Sequence, residues 1–421
     1  MVRDPHVCMV VKNRLSNDAR VKKEMKALAE DGWRVTVIAM PEKGAPPRES
    51  EGRVTIVRPR IYSRKKELLR EKVARVSARE DTSLKARLVR SVRSNPLRRF
   101  VADLQRDIPW ELRLRNAALN ARADVYHAND LDTLEICGIA AARNRARLVY
   151  DSHELWLEST KYLYRTNWFN RLRLRNIERR FILKCDAVIA VTPMRANAMV
   201  QTYPDLKNVE VLMNCPEKLL ALPERGLLRA QLGIPAENTI VLYQGVFSPG
   251  RGLEQLIKAM EGIVYKNIHL VLIGMDAMNG ALHNLVSEKE LDRTVHFLPP
   301  VPSEELASYT VDADIGVILF ENTCLNNYYS LPNKLFEYMM ASVPVVSSSF
   351  PELQSVIRET ACGLTLNTSC KEEVSDAIVQ LHESPERRIA YGRSGREMAL
   401  SKYNWERQHS LLNAVYRKLK K

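Results

Sequence analysis

Two apolar runs, Val7 to Val11 and Val35 to Ala39, open the chain, and between them Val21, Met25 and Leu28 recur at helical spacing. The pattern predicts a strand, a loop over Lys12 to Asn17, a helix from about Asp18 that Gly32 ends, and a second strand. Further short apolar runs predict strands at Val54–Val57, Val125–His127, Leu148–Tyr150, Ala187–Val191 and Val209–Met213, with helical patterns between them. Strands that alternate with helices imply a parallel sheet. After Asn214 the rhythm breaks over CPEKLLALPERGLLRAQLGIPAEN, which carries three prolines and two glycines and reads as an interdomain linker. Alternation restarts at Thr239, with strands at Ile240–Tyr243, Leu270–Ile273, Val295–Leu298, Ile315–Leu319 and Val343–Val346, and helices from Leu253, from Glu304 and around Lys334–Met340. A last helix, from Trp405 to about Leu419, carries the apolar Leu411, Leu412, Val415 and Tyr416. The expected fold class is α/β: two doubly wound, Rossmann-like domains over 1–214 and 215–400 that face a cleft, with 401–421 packing back across the join.

Composition narrows the setting. At 421 residues two domains are the default, on a prior of about 100–200 residues each. The seven cysteines, at positions 8, 137, 185, 215, 324, 362 and 370, are scattered and never form C-x-x-C, which argues against a disulfide framework and against a zinc site. MVRDPHVCMVVK is too short an apolar run for a signal peptide, and no stretch of about 18 apolar residues occurs, so a cytoplasmic protein that does not span a membrane is expected. The formal charge is +14, and between Arg58 and Arg115 18 Lys or Arg stand against 7 Asp or Glu. Within that segment Leu84, Leu88, Val89 and Val92 recur at helical spacing while Lys85, Arg87, Arg90 and Arg93 hold much of the remaining circumference. Such a face is either solvated or docks on an anionic membrane surface together with Arg64, Lys65 and Lys66. Few aromatics are interleaved and no helix-turn-helix or zinc-finger spacing is present, so nucleic acid is not expected as a partner.

Two segments of the second half carry donor-type chemistry. In TIVLYQGVFSPGRGLEQLIKAM a Gly-rich turn stands between a strand and a helix start, where free N–H groups and the helix dipole favour an anion. Arg251 can clamp a phosphate, but Gly252 stands where a P-loop needs a hydroxyl for magnesium, so the loop reads as a diphosphate site without that metal. In SLPNKLFE a cap-like Ser330 and Pro332 precede a helix on which Lys334 and Glu337 share a face. A cation there suits a diphosphate and a carboxylate suits paired ribose hydroxyls; the plainer reading is a surface ion pair. In the first half VYHANDLDT offers His127, Asn129, Asp130 and Asp132 just after a strand, and LVYDSHELW offers Asp151, His153 and Glu154 after another, candidates for acid–base work, metal binding or simple hydrogen bonding.

The order and separation of GVFSPGRGLEQLIKAM and SLPNKLFEYMMASVPVV resemble those of the family 4 retaining nucleotide-sugar glycosyltransferases of GT-B fold, and the resemblance extends over essentially the whole chain. It implies a nucleoside-diphosphate sugar as donor, no metal or other cofactor, and a lipid-linked or carbohydrate acceptor of the kind used in bacterial envelope polysaccharide or glycolipid synthesis at the cytoplasmic membrane face. By the same resemblance Gly245 lets the loop approach the donor diphosphate, Arg251 and Lys334 hold it beside the backbone of Leu331 and Pro332, Glu337 holds the ribose, Ser330 and its neighbours replace a contact to the transferred sugar, and the backbone near Gly274 and Val301 meets the base. His127, Asn129, Asp130 and His153 fall on the acceptor side as catalytic candidates. The chain departs from the family pattern at Tyr329, where a first Glu would fall, at Val246, often basic, and at Asn129, often His. A nucleotide-sugar epimerase and a scaffold that has lost catalysis share the architecture and are the alternatives. Asp312-Ala-Asp314 matches a metal-binding D-x-D of another glycosyltransferase architecture, but it runs into strand IGVIL and is expected to cap the preceding helix. Gly392-Arg-Ser-Gly395 lacks nucleophile-elbow spacing, and no G-x-G-x-x-G follows the first strand.

Overall fold

A computed structural model describes residues 4–16, 18–59, 110–160, 162–163, 166, 168–367 and 370–420. The basic amphipathic stretch with Arg64, Lys65, Lys66, Leu84, Arg87, Leu88, Val89, Arg90, Val92 and Arg93 lies outside the described residues. Two sheets form. The first has the order β3-β4-β2-β1-β5-β6-β7-β8, built from β1 (His6–Val10), β2 (Arg34–Ile38), β3 (Arg48–Glu51), β4 (Val54–Val57), β5 (Val125–Asn129), β6 (Arg147–Ser152), β7 (Ala187–Ala190) and β8 (Glu210–Val211). All its pairings are parallel except β3 with β4. The second sheet is parallel throughout, in the order β11-β10-β9-β12-β13-β14, from β9 (Thr239–Gln244), β10 (Ile268–Ile273), β11 (Val295–Leu298), β12 (Ile315–Ile318), β13 (Val345–Ser348) and β14 (Gly363–Leu366). Continuous apolar runs suit strands covered on both faces, and β1, β5 and β9 are buried at every position.

Helices α1 (Ala19–Glu30), α2 (Leu131–Asn144), α3 (Trp168–Phe181) and α4 (Pro193–Thr202) flank the first sheet. The segment after Asn214 is less of a free linker than its prolines suggest. It contains α5 (Leu227–Leu232), and Cys215, Leu228 and Ile234 are buried against Phe336 and Met340 of the second half. Asp312 does not cap the helix that precedes it: its carboxylate accepts from the backbone N–H groups of Gly226, Leu228 and Arg229 at the start of α5. Asp314 pairs with Arg225 and Arg229 and accepts from Ile240 N, so both carboxylates of the D-x-D are occupied in fastening the linker. Of the second-half helices, α6 (Leu253–Glu261) and α7 (Asn333–Met340) begin at the cleft.

The chain then returns. Helix α8 (Trp405–Leu419), N-capped by the Asn404 side chain, packs Trp405, Leu412 and Tyr416 against Val21, Leu28 and Trp33 of the first half. Tyr416 meets Trp33 edge-on with ring centroids 5.2 Å apart, and its hydroxyl lies 2.6 Å from His127 Nδ1. Among the described residues no helix is long and apolar enough to cross a membrane. Leu412 is fully buried at this crossing. Leu412→Ala should therefore cost about 2–5 kcal/mol, read as a lowered denaturant midpoint of the first half; an unchanged midpoint would mean that the closing helix is not part of that core.

Candidate functional site

The carboxyl ends of both sheets open on one cleft of about 1100 Å³, the position where ligands of open parallel sheets sit. The second half builds its floor from three loops. After β9 the chain turns at Gly245 and Gly252. Gly252 is the N-cap of α6 at φ +68°, and a Cβ there would fall 2.0 Å from Leu319 O, so this glycine is required by packing as well as conformation. Gly274, which ends β10, would place a Cβ 1.8 Å from Gly245 O. The two loops thus touch backbone to backbone, and Gly274, Val301 and Gly245 line the same floor.

The third loop brings Ser330, Leu331, Pro332, Lys334 and Glu337 to the cleft. Pro332 is the N-cap of α7 and no side chain caps the helix; Ser330 sits two residues too early to do so. Lys334 and Glu337 are not a surface ion pair. Lys334 Nζ lies 3.7 Å from the centroid of the Tyr243 ring and would be 3.2 Å from a Cβ on Gly245, so it stands directly over the glycine loop. Burial, with the neighbouring Arg251 charge, depresses the Lys334 pKa well below the usual lysine range, against the pull of Glu337. Glu337 Oε2 accepts from Gln244 Nε2 at 2.5 Å, and Gln244 Oε1 accepts from Thr310 Oγ1 at 3.0 Å, which fixes the carboxylate at the end of β9. Burial raises the Glu337 pKa, while Gln244, Lys334 and Lys23 oppose the rise. The Arg251 guanidinium rests 4.6 Å from the Phe320 ring centroid. Arg251 and Lys334, neither with a carboxylate within 4 Å among the described residues, face this cleft floor together, a combination that suits an anionic ligand.

On the opposite wall the structure separates the four first-half candidates. His153 lines the cleft; His127, Asn129 and Asp130 do not. The cause is strand length: β5 continues through Asn129 rather than stopping at His127, so His127 is an interior strand residue sealed beneath α8, and Asn129 donates to Val10 O at 3.2 Å. Asp130, at φ +66°, accepts from His153 N at 2.9 Å and so shapes the loop behind the cleft wall.

Behind His153 lies an ionic set in which Asp151 and His127 meet Arg20 and Glu24, two residues that the sequence patterns did not single out. Arg20, fully enclosed with Glu24, donates to both Asp151 oxygens at 2.9 Å and lies 2.9 Å from Glu24. The Asp151 carboxylate is held well below its usual range: burial opposes this, but Arg20, His153 and His127 outweigh it. Burial and Asp151 push Glu24 up to about 8, and burial keeps His127 below the usual imidazole value. His153 Nε2 lies 3.1 Å from Asp151 Oδ2. Burial disfavours its charge, yet Asp130 and Asp151 together push His153 up to about 9. Glu24, His127 and Asp151 bring ligand atoms within 4.8 Å of one another, a spacing that fits a metal, but the Arg20 guanidinium already stands as the cation against both carboxylates. Arg20 and Glu24 were detectable in principle, since they stand eight and four residues before the core residue Leu28 on the buried stripe of α1. Arg195 and Asn326 were not: Arg195 donates to His153 O at 2.7 Å and to Asn326 O at 3.0 Å, a pairing across the two halves that no local spacing encodes.

Comparison with known proteins agrees with this geometry. Residues 224–398 match the family model described as glycosyl transferases group 1, and residues 71–215 match glycosyltransferase family 4. A D-inositol 3-phosphate glycosyltransferase from Corynebacterium aurimucosum is 24% identical over 257 residues, which cover 58% of this chain and 59% of that protein. The match thus spans little more than half the length of such curated relatives. Among solved structures, sucrose-phosphate synthase from Thermosynechococcus elongatus aligns over 99% of both chains with a TM-score of 0.73 at 20% identity. HepE from Anabaena, in complex with UDP and glucose, aligns over 99% of both with a TM-score of 0.71 at 16% identity.

The ionic set has a pH signature. Because His153 is charged more readily in the folded protein, the stability it carries is complete below the unfolded imidazole pKa of about 6.5 and disappears as pH rises through about 9. Denaturant unfolding across that window should show a falling stability that flattens in His153→Gln; parallel slopes in the two proteins would contradict the assigned charge.

Proposed function

Because the chain belongs to the family 4 glycosyltransferases of GT-B fold, we propose that it transfers a sugar from a nucleoside-diphosphate sugar to an acceptor hydroxyl, with retention of anomeric configuration and without a resident metal. The observation that carries this reading is the convergence of Gly245, Arg251, Lys334 and Glu337, from two segments about ninety positions apart, on one cleft floor. The donor diphosphate lies over the Gly245 loop between Arg251 and Lys334, and Glu337 receives the ribose hydroxyls. As the glycosidic bond breaks, negative charge grows on the leaving diphosphate, and two cations fixed in a half-enclosed site stabilise that charge more than the ground state. HepE holds UDP in the same fold, which favours a uridine donor. Gly274 and Val301 place backbone and a small apolar surface where the base would stack.

His153, charged below about pH 9, donates a hydrogen bond rather than accepting a proton, so its role is to hold an oxygen of the donor sugar or acceptor. His127, Asn129 and Asp130 act through position: they fix the strand end and the loop that present His153. The acceptor is a lipid-linked or carbohydrate hydroxyl at the cytoplasmic face of a membrane, in envelope polysaccharide or glycolipid synthesis. The basic stretch between Arg58 and Arg115 supports a surface location through its charge.

A panel of UDP-, GDP- and ADP-sugars, assayed for transfer and for slow donor hydrolysis, tests the reading; no turnover and no nucleotide binding with any of them would overturn it. Arg251→Ala should lower kcat on the order of 10²-fold with a smaller effect on binding. Glu337→Ala should weaken UDP binding about 10–100-fold, the range for a hydrogen bond to a charged group. EDTA should leave turnover intact, and a loss restored by magnesium would contradict the metal-free mechanism.

Lys334 gives an independent readout. Its pKa is low in the free protein and rises when an anionic diphosphate neutralises the site, so UDP binding takes up a proton at pH values between the two, and affinity falls as pH rises through the lower one. Calorimetry in two buffers of different ionisation enthalpy should detect the uptake, and Lys334→Met should abolish it; binding with no proton uptake in the parent would place the diphosphate elsewhere.

A further inference from the structure

Helix α3 lies on the outside of the first half and has an unusual face. Its sequence, WFNRLRLRNIERRF, holds five arginines and one glutamate. Ile177, Glu178 and Phe181 turn inward, whereas Trp168 is 63% exposed, Leu172 50% and Phe169 40%. Trp168, Leu172, Arg175 and Arg179 succeed one another at helical spacing down the outer side, and Arg180 flanks them. The Trp168 and Phe169 rings stack with centroids 3.8 Å apart. Arg173 is engaged by Glu111 and Glu135. Arg175 and Arg179 have no carboxylate within 4 Å among the described residues.

The face is therefore divided, with apolar bulk at the N-terminal end of the helix and unpaired cations at the other. Water is a poor solvent for the first part and an excellent one for the second. An anionic bilayer suits both: aromatic side chains favour the headgroup level, and guanidinium groups the lipid phosphates. The orientation is also informative. β6 ends at the cleft with Ser152, the chain passes His153 and Glu154, and α3 then runs back toward the start of β7 at Ala187. Its Trp168 end is the one on the cleft side.

We propose that the outer face of α3, through Trp168, Phe169, Leu172, Arg175 and Arg179, docks this protein on an anionic lipid bilayer with the cleft mouth turned toward the surface. The docking requires no turnover and does not depend on the stretch between Arg58 and Arg115. It accounts for an acceptor that is lipid-linked, but it stands or falls separately from the donor chemistry.

Vesicle sedimentation of the full chain, without nucleotide, tests it. The parent should sediment with phosphatidylglycerol–phosphatidylcholine vesicles, not with phosphatidylcholine alone, and should be released by high salt. Arg175→Glu/Arg179→Glu should bind on the order of 30-fold more weakly or worse, and Trp168→Ser/Leu172→Ser should also lose binding, while both keep the parent's UDP affinity and melting temperature. Trp168 emission should shift to the blue on vesicle binding, seen as the difference from Trp168→Phe. A parent that ignores anionic vesicles at low salt overturns the proposal. So does loss of binding in Arg87→Glu/Arg90→Glu/Arg93→Glu while both α3 double variants bind like the parent. A concentration-dependent dimer in light scattering, abolished by Trp168→Ser/Leu172→Ser, would assign the face to a second copy of the chain and overturn it equally.

Discussion

A guanidinium taken out of water needs acceptors for its N–H groups, and the two terminal nitrogens of Arg195 find them on both halves of the molecule, while its Nε has none among the described residues. One terminal nitrogen donates to His153 O at the end of a first-sheet strand, the other to Asn326 O in a loop of the second half. Asn326 returns the connection by accepting from Leu155 N at 2.9 Å. Losing either carbonyl would leave a buried cation short of a partner, which costs far more than an exposed salt bridge returns. The seam therefore fixes how the two sheets face each other. With their carboxyl ends opposed, the Gly245 loop, α7 and the His153 loop share one cleft instead of facing solvent separately.

The charged groups behind His153 obey the same rule by a different route. Asp151, Glu24 and His127 are buried behind the cleft wall that Arg20 and His153 line, and the set is tolerable because Arg20 balances Asp151 while Glu24 and His127 are pushed toward their neutral forms. What remains is a positive charge on His153 at the cleft wall, with Nε2 3.1 Å from Asp151 and Nδ1 3.6 Å from Asp130. Helix α8 closes this set from below: the Tyr416 hydroxyl reaches His127 Nδ1, so the last helix of the chain supports a strand residue 289 positions earlier. On the other wall stand Arg251 and Lys334, the lysine held well below its usual pKa by burial and by the neighbouring Arg251.

Much of this was legible in the amino-acid sequence, because buried parallel strands and amphipathic helices write their periods locally. The strand–helix alternation, the break after Asn214 and the closing helix from Trp405 to Leu419 all appear in the pattern. The β3 strand, RESE, does not, since an exposed edge strand has no need of apolar residues. Nor does β14, whose GLTL is too short to announce itself. In the site, the glycine loop and the Lys334–Glu337 spacing signalled a shared ligand, yet only the fold reveals that Gly274 touches Gly245 and that Gln244 orients Glu337. His127 misled because a strand end is poorly marked: two more residues of strand moved it from the cleft to the core. Asp312 was expected to cap the helix before it, because its actual partners at the start of α5, more than eighty residues away, leave no local pattern.

The central claim is that one diphosphate lies between Arg251 and Lys334 with its ribose on Glu337. A crystal structure of the protein soaked with UDP tests it directly. The account predicts phosphate oxygens within hydrogen-bond distance of the Arg251 guanidinium and Lys334 Nζ, both ribose hydroxyls on the Glu337 carboxylate, and the uracil against the backbone near Gly274 and Val301. Nucleotide density elsewhere in the cleft, or with its ribose turned away from Glu337, would contradict it.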